Sequence, residues 1–263
     1  MPLSGPDQLL YEKKGHVVVI TMNRPERMNA INEELGSLLA EAWIKYDEDD
    51  DALCAILTGV GDRAFSAGAD LKDMNEGGGW GRSSNRRTHP FERSSPIHLN
   101  SWKPTIAAIN GFAVAGGWLL AQYCDIRIAS DTAKLSIPEV RWNLPYERVS
   151  DLKWKMSLGN LLEILLTGEQ FSAQRCYEMG YVNHVVAPDK LMDKAMSLAN
   201  IIADRAPMAV RMHKEAVYRS LDLNYEESGN VASGIMTPMR WSKDTVEGPK
   251  AFVEKRKPVW KNE

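Results

Sequence analysis

Three runs in the first half of the chain are short, apolar almost throughout and separated by helical or turn-forming sequence: His16–Met22, Ala52–Thr58 and Pro104–Asn110. A run of that length without a polar face suits a strand covered on both sides, as in a sheet sandwiched by helices. His16–Met22 is also dense in β-branched residues, and Asp125–Ala129 reads as a further strand. Between the first two runs, Leu35, Leu38, Leu39, Ala42 and Trp43 share one helical face, which predicts a helix from Asn32 to about Glu48. Asn32 is its expected N-cap, and Glu33-Glu34 complements the positive end of the helix dipole. Strand, helix, strand and short helix recur, which points to stacked ββα or βαβ units in an α/β core. From about Asn160 the pattern is helical, with only Tyr181–Val186 extended. A chain of 263 residues suits one domain of about 250 or two small ones, and no repeat is visible.

Several function classes are disfavoured. Lys and Arg number 32 against 35 Asp and Glu, with a formal charge of −3 and a pI of about 6.0. That balance supplies no global pull toward nucleic acid or a membrane surface, and the basic run Lys255-Arg256-Lys257 is too short to change it. No apolar run reaches the ~18 residues of a membrane-crossing helix, and Met1–Asp7 lacks the signature of a signal peptide. Cys54, Cys124 and Cys176 are far apart without a C-x-x-C, so they are expected as buried thiols in a reducing, cytoplasmic setting. The 5 histidines have no ligand-like spacing, and no metal site is expected. Gly59-Val60-Gly61-Asp62-Arg63-Ala64 loosely matches a dinucleotide fingerprint, but no long helix opens after it and the acidic ribose ligand is missing. Glu76–His89 is glycine-rich, basic and aperiodic, either a solvated insertion or a loop over a site.

Two other glycine segments are more informative. Ala64-Phe65-Ser66-Ala67-Gly68-Ala69-Asp70-Leu71-Lys72 leads from a loop into a short helix. Asn110-Gly111-Phe112-Ala113-Val114-Ala115-Gly116-Gly117 follows a buried strand and opens a helix at Trp118. Small residues let backbone N–H groups approach a ligand, and two converging N–H groups form an oxyanion hole. Each segment alone also fits a tight turn that uses glycine for its conformation.

Together, in this order, the segments resemble the crotonase superfamily, the enoyl-CoA hydratase/isomerase family. The resemblance spans Asn23-Arg24-Pro25 to Asn29-Ala30, Ala64–Asp70, Ala107–Gly111, Cys124-Asp125, Pro138-Glu139, Leu166-Thr167-Gly168 and Ala251–Arg256. It implies an α/β fold, a ClpP/crotonase-like core of repeated ββα units over residues 1–195. Residues 196–263 would then form a C-terminal helical region for trimerisation and coenzyme A contacts. It further implies an acyl-CoA substrate, a homotrimer or dimer of trimers, and no cofactor beyond the coenzyme A of the substrate; neither nucleic acid nor membrane is an expected partner. By the same resemblance, the Ala69 and Gly116 N–H groups hold the thioester oxygen. Ala67 and Ala69 to Lys72 (Ala69, Asp70, Leu71, Lys72) would line the coenzyme A site, with Glu26, Arg27 and Met28 on the loop opposite. Phe252 and Lys255 match positions that reach coenzyme A from the C-terminal region; as bare residues, Lys72 and Lys255 also read as solvated surface charge.

Hydratases of this family carry two glutamates. The second position here is Glu139, in Ser136-Ile137-Pro138-Glu139, but the first falls on Leu119, which transfers no proton. Trp118 puts a bulky ring beside it, either shaping the acyl pocket or packing in the core. The Pro-Gly-x-Gly-Gly turn of hydratases is replaced by Leu144-Pro145-Tyr146-Glu147-Arg148-Val149-Ser150. Glu147 would restore a second carboxylate from that loop; otherwise it reads as the surface ion-pair partner of Arg148 or a neighbour. One glutamate with Leu119 is similar to the Δ3,Δ2-enoyl-CoA isomerases, where a carboxylate moves one proton between two carbons. Glu139-Val140-Arg141-Trp142 is similar to hydroxycinnamoyl-CoA hydratase-lyases, and the tail from Glu247 to Lys261 to carnitinyl-CoA dehydratases. Glu139, desolvated in an apolar pocket, is expected to have a raised pKa. Isomerisation and hydration or dehydration are the leading reactions, with a non-catalytic acyl-CoA-binding role as the other class.

Overall fold

A computed structural model describes residues 8–72, 99, 101–146 and 148–263 of the chain. Leu9–Lys14 (β1) turns through Gly15-His16 into Val17–Met22 (β2), and Glu33–Glu48 (α1) follows. Asn32 caps α1 as the sequence predicts, its side chain accepting the Leu35 N–H. Strands then come in pairs: Cys54–Gly59 (β3) with Ala64–Ser66 (β4), and Thr105–Ile109 (β5) with Phe112–Val114 (β6). Gly116–Tyr123 (α2) starts two residues before the expected Trp118, and Ile126–Ser130 (β7) with Lys134–Ser136 (β8) makes the third pair. A 3-10 turn, Pro138–Trp142, leads toward Val149–Leu152 (α3), Leu158–Thr167 (α4), Phe171–Ser172 (β9), Ala173–Glu178 (α5) and His184–Val186 (β10). Leu191–Ala203 (α6), Pro207–Ser220 (α7), Tyr225–Met236 (α8) and Lys243–Val253 (α9) complete the described elements.

The first strand of each pair joins a 6-stranded sheet of order β1-β2-β3-β5-β7-β10, parallel from β2 onward. The second joins a 4-stranded sheet, β4-β6-β8-β9, in which only β9 runs antiparallel. Residue parity divides the packing across the large sheet. Val18, Ile20, Ala55, Leu57 and Ala107 share a buried cluster with Leu35, Leu39 and Trp43 of α1. Their neighbours Val17, Val19, Cys54, Ile56 and Ile106 cluster with Leu191, Ala195 and Ala199 of α6. All three cysteines are buried thiols. No helix among the described residues is long and apolar enough to cross a membrane.

Asp125 ties the C-terminal helices to this core. One of its carboxylate oxygens accepts from Thr105 N–H at 2.8 Å and from Lys214 Nζ at 2.7 Å, and the other from the Tyr218 hydroxyl at 3.1 Å. Both Lys214 and Tyr218 belong to α7, which packs on α8. The division expected between residues 195 and 196 falls inside α6, whose Ala195 and Ala199 belong to the same sheet-facing cluster.

Candidate active site

Three parallel strands of the small sheet end at one corner. Ala113 and Val114 of β6 pair with Leu135 and Ser136 of β8, and β4 pairs with β6 on the other side. The residues that follow them are therefore neighbours: Ala67-Gly68-Ala69 after β4, Ala115-Gly116 after β6, and Ile137-Pro138-Glu139 after β8. The β6–β8 ladder runs one step further, with Ala115 N–H donating to Ser136 O at 3.0 Å. Carboxyl ends of parallel strands are where open α/β sheets place ligands.

Close backbone approach builds the corner. Gly68 has φ +87°, and a Cβ there would lie 2.8 Å from Val114 O and 2.9 Å from Gly116 N. A Cβ on Gly117 would lie 2.0 Å from Ser66 O, so only glycine lets α2 sit on the end of β4. Ile31 forms an isolated parallel bridge to Ala69, donating to Gly68 O at 2.8 Å and accepting Asp70 N–H at 3.0 Å. That bridge uses the peptides flanking Ala69 and leaves the Ala69 N–H outside it. Gly116 opens α2, so its N–H has no intrahelical acceptor. Just before it, Ala115 has φ 54° and ψ −119°, a backbone state costly for any residue with a Cβ and typical of functional turns.

Hydrogen bonds from the loop after β2 hold the first edge. Ser66 Oγ donates to Asn29 O at 2.8 Å and accepts from Gly68 N–H at 3.1 Å, while Asn29 Nδ2 donates to Ala64 O at 2.7 Å. Arg24 Nη2 meets Asp70 Oδ2 at 3.1 Å with both side chains largely buried, and Arg24 Nη1 also donates to Ala30 O. An ion pair sheltered in this way fixes geometry more than it adds stability.

Glu139 lies in the 3-10 turn Pro138–Trp142. Its Oε2 is buried and has no hydrogen-bond partner among the described residues. Burial pushes its carboxyl up to about 7, against a smaller opposing effect of its own backbone N–H. Gly168, which ends α4, sits against this turn: a Cβ there would be 3.0 Å from Val140 Cγ1 and 3.3 Å from Pro138 Cα. Arg141 pairs with Glu169 across the same contact. On the other side, the Tyr146 hydroxyl donates to Gln122 Oε1 at 2.6 Å, and Gln122 Nε2 donates to Arg148 O at 3.0 Å, pinning the altered turn to α2. Leu119 of α2 is an apolar side chain partly buried against the core.

The residues expected from the sequence divide accordingly. Ala67, Ala69, Asp70, Gly116 and Glu139 all follow strands that end at the corner, but the Asp70 carboxylate is engaged by Arg24. Met28 lies beside it, its carbonyl taking the Ala67 N–H at 3.0 Å, while Glu26 and Arg27 are exposed on the preceding turn. Leu71 is 62% exposed and Lys72 is exposed after it. Trp118 is a correction: it has no accessible surface and stacks on Tyr181 at 4.2 Å between ring centroids, so it packs in the core instead of facing substrate. Phe252 and Lys255 are at solvent on and just after α9, which packs on the 3-10 turn Pro238–Trp241. Glu147 and the segment Glu76–His89 lie outside the described residues. Sequence reasoning missed Ala115, Ser66 as a brace and the Tyr146–Gln122 anchor; Asn29 and Gly168 were present in the quoted motifs without a stated role. Among the described residues no cluster of His, Cys, Asp or Glu is placed to hold a metal ion.

Comparison with known proteins agrees with this architecture. Residues 12–263 match the Enoyl-CoA hydratase/isomerase family. The chain is 35% identical over 269 residues to the enoyl-CoA hydratase EchA19 of Mycobacterium tuberculosis, with 98% of each chain covered. It is 35% identical over 258 residues to the (E)-benzylidenesuccinyl-CoA hydratase of Thauera aromatica, covering 95% of this chain and 97% of that one. A crystal structure of enoyl-CoA hydratase from Bacillus anthracis superposes with a TM-score of 0.90 at 31% identity, covering 97% of this chain and 100% of that one. The alternating two-sheet core, the glycine-built corner and these matches together make the chain a member of the enoyl-CoA hydratase/isomerase family with the crotonase fold.

Proposed function

We propose that this enzyme transforms an enoyl-CoA through an enolate, with Glu139 as its single proton-transfer group. The supporting observation is the Glu139 carboxyl itself: one oxygen is buried and has no partner among the described residues, and burial raises its pKa to about 7. A base of that strength is half ionised at neutral pH and is suited to take up and return a proton. The Ala69 and Gly116 N–H groups donate to the thioester oxygen and stabilise the negative charge that forms on it. With Leu119 where a second acid would be, the reaction best matched is isomerisation of a 3-enoyl-CoA. Glu139 takes the proton from the carbon beside the thioester carbonyl, a dienolate forms, and the same proton returns two carbons along. No cofactor is used.

Hydration is the second reading, supported by relatives whose names are hydratases. It requires water to be activated by Glu139 or by another group. Matched 2-enoyl-CoA and 3-enoyl-CoA substrates, with products read by mass spectrometry, separate the readings. A same-mass conjugated product from the 3-enoyl substrate supports isomerisation. A gain of one water on the 2-enoyl substrate supports hydration, and turnover of neither overturns both.

Self-association as a homotrimer, or a dimer of trimers, belongs to the same reading. Tyr225, Trp241, Phe252 and Val253 of the C-terminal helices are 97%, 85%, 85% and 78% exposed, an apolar surface that suits burial against another copy. Phe252 and Lys255 would then contact the coenzyme A of a neighbouring subunit, and Ala69 to Lys72 that of their own. Light scattering of the purified enzyme gives the assembly mass; a monomer would remove this part of the reading.

A further inference from the structure

Between the core and the C-terminal helices lies a cavity of about 830 Å³, walled in part by Trp154, Ile201, Val217 and Leu221. That volume is within the range of small-molecule pockets, and Glu139, Ala69 and Gly116 do not line it. Two lysines of this region are spent on carboxylates: Lys214 Nζ lies 2.7 Å from Asp125, and Lys153 Nζ lies 3.0 Å from Asp222. Lys155 also lines the cavity, and among the described residues no carboxylate pairs with it. Its Nζ stands 6.0 Å from the centroid of the Tyr218 ring, and its backbone N–H donates to Leu152 O at 2.9 Å just past α3.

The surroundings disfavour an ammonium at this place. Arg127 of β7 faces it with its guanidinium donating to the carbonyls of Tyr181 and Cys124, and among the described residues no carboxylate pairs with that cation. Lys214 and Tyr218 face it from α7, where both are bound to Asp125. Asp125 and Asp151 favour the charge on Lys155 and Cys124 lies near, but burial first and Arg127 second outweigh them and push the amine down to about 8. Roughly a quarter of Lys155 is then neutral at pH 7.5, against about one part in a thousand for an ordinary lysine. Arg148 and Arg205 also line the cavity, cations that favour approach of a polyphosphate-bearing reagent.

We propose that Lys155 is a nucleophilic lysine, acylated on Nζ by acyl-CoA thioesters that enter this cavity. The Nζ lone pair attacks the thioester carbonyl carbon, the carbon–sulfur bond breaks, and coenzyme A leaves as its thiolate. The nitrogen gives up a proton to that thiolate or to water, leaving an amide and free coenzyme A. Only the choice of donor rests on the acyl-CoA reading above; the nucleophile and its cavity are independent of Glu139.

Acetyl-CoA, which has no double bond to isomerise or hydrate, is the probe. The folded wild-type enzyme is incubated with it over a series of pH values, and acetylated peptides are followed in time by mass spectrometry. Lys155 is expected to acetylate at least about tenfold faster than the exposed Lys134 and Lys250, with a rate that rises through a midpoint near 8. In Lys155→Arg the fast phase disappears while the slow surface labelling remains. Glu139→Gln labels at the wild-type rate, so loss of turnover in that variant is read separately from acylation. Labelling of Lys155 no faster than Lys134 and Lys250, or slower labelling in Glu139→Gln, would overturn the assignment.

Discussion

A carboxyl group with a buried, unpartnered oxygen is expensive to ionise, and Glu139 sits near the pH at which both of its states are populated. Replacing it with glutamine keeps the shape and removes the titration. Glu139→Gln should lower kcat on the enoyl-CoA substrate by about 10²–10⁴-fold with little change in KM. As the base form is the one that starts the reaction, wild-type kcat/KM should rise with pH through about 7. A profile without that inflection would show that another group takes the proton. Stability should respond in the opposite sense. A carboxyl raised from 4.5 in the unfolded chain to about 7 in the fold binds its proton more tightly when folded. Its ionisation therefore costs nothing below the unfolded value, costs increasingly more between the two, and reaches about 3 kcal/mol above the folded value. Glu139→Gln should accordingly unfold at higher denaturant than wild type at pH 8, with the difference shrinking toward pH 4. At this scale Glu139 was legible only through resemblance, because a lone Pro-Glu carries no local sign of burial. Trp118 stayed open between acyl pocket and core for a related reason: its partner Tyr181 is distant in sequence, and the stacking that buries both cannot be read from either.

Strand length decided which elements the sequence revealed. Strands β2, β3 and β5 of the large sheet are apolar almost throughout because helices cover both faces, and that pattern marked them in the sequence. The small sheet escaped notice because β4, β6 and β8 are three residues each, too short for any period to register. Yet those strands carry the candidate site on their ends. Glycine at the seam between β4 and α2 is the element-level requirement, and it predicts a contrast. Gly117→Ala forces a Cβ to within 2.0 Å of Ser66 O, and should cost several kcal/mol and disrupt turnover through displacement of Gly116. Gly159→Ala, in α4 with nothing within 4 Å of the added carbon, should be neutral or stabilising by about 0.5 kcal/mol. Chemical denaturation of the two variants measures both; equal effects would remove the steric account of the seam.

At the scale of the molecule, Asp125 links β5, β7 and α7 in one hydrogen-bonded cluster. Lys214 lies 89 residues away in sequence, and nothing local announces the pairing. Asp125→Asn leaves the sheltered Lys214 without its counter-charge, so it should cost about 3–5 kcal/mol. Hydrogen exchange should then show α7 losing protection before the large sheet does. Unchanged protection of α7 would mean that apolar packing alone holds the helix. The corner that carries Glu139 is stitched from loops after β2, β4, β6 and β8, brought together by contacts such as Ile31–Gly68 and Ala115–Ser136. Closing loops of that span is slow, and none of them is rewarded until both sheets exist. During refolding, helix content should thus return ahead of catalysis, and the newly made chain passes through an interval in which it is folded in outline but cannot yet act on substrate.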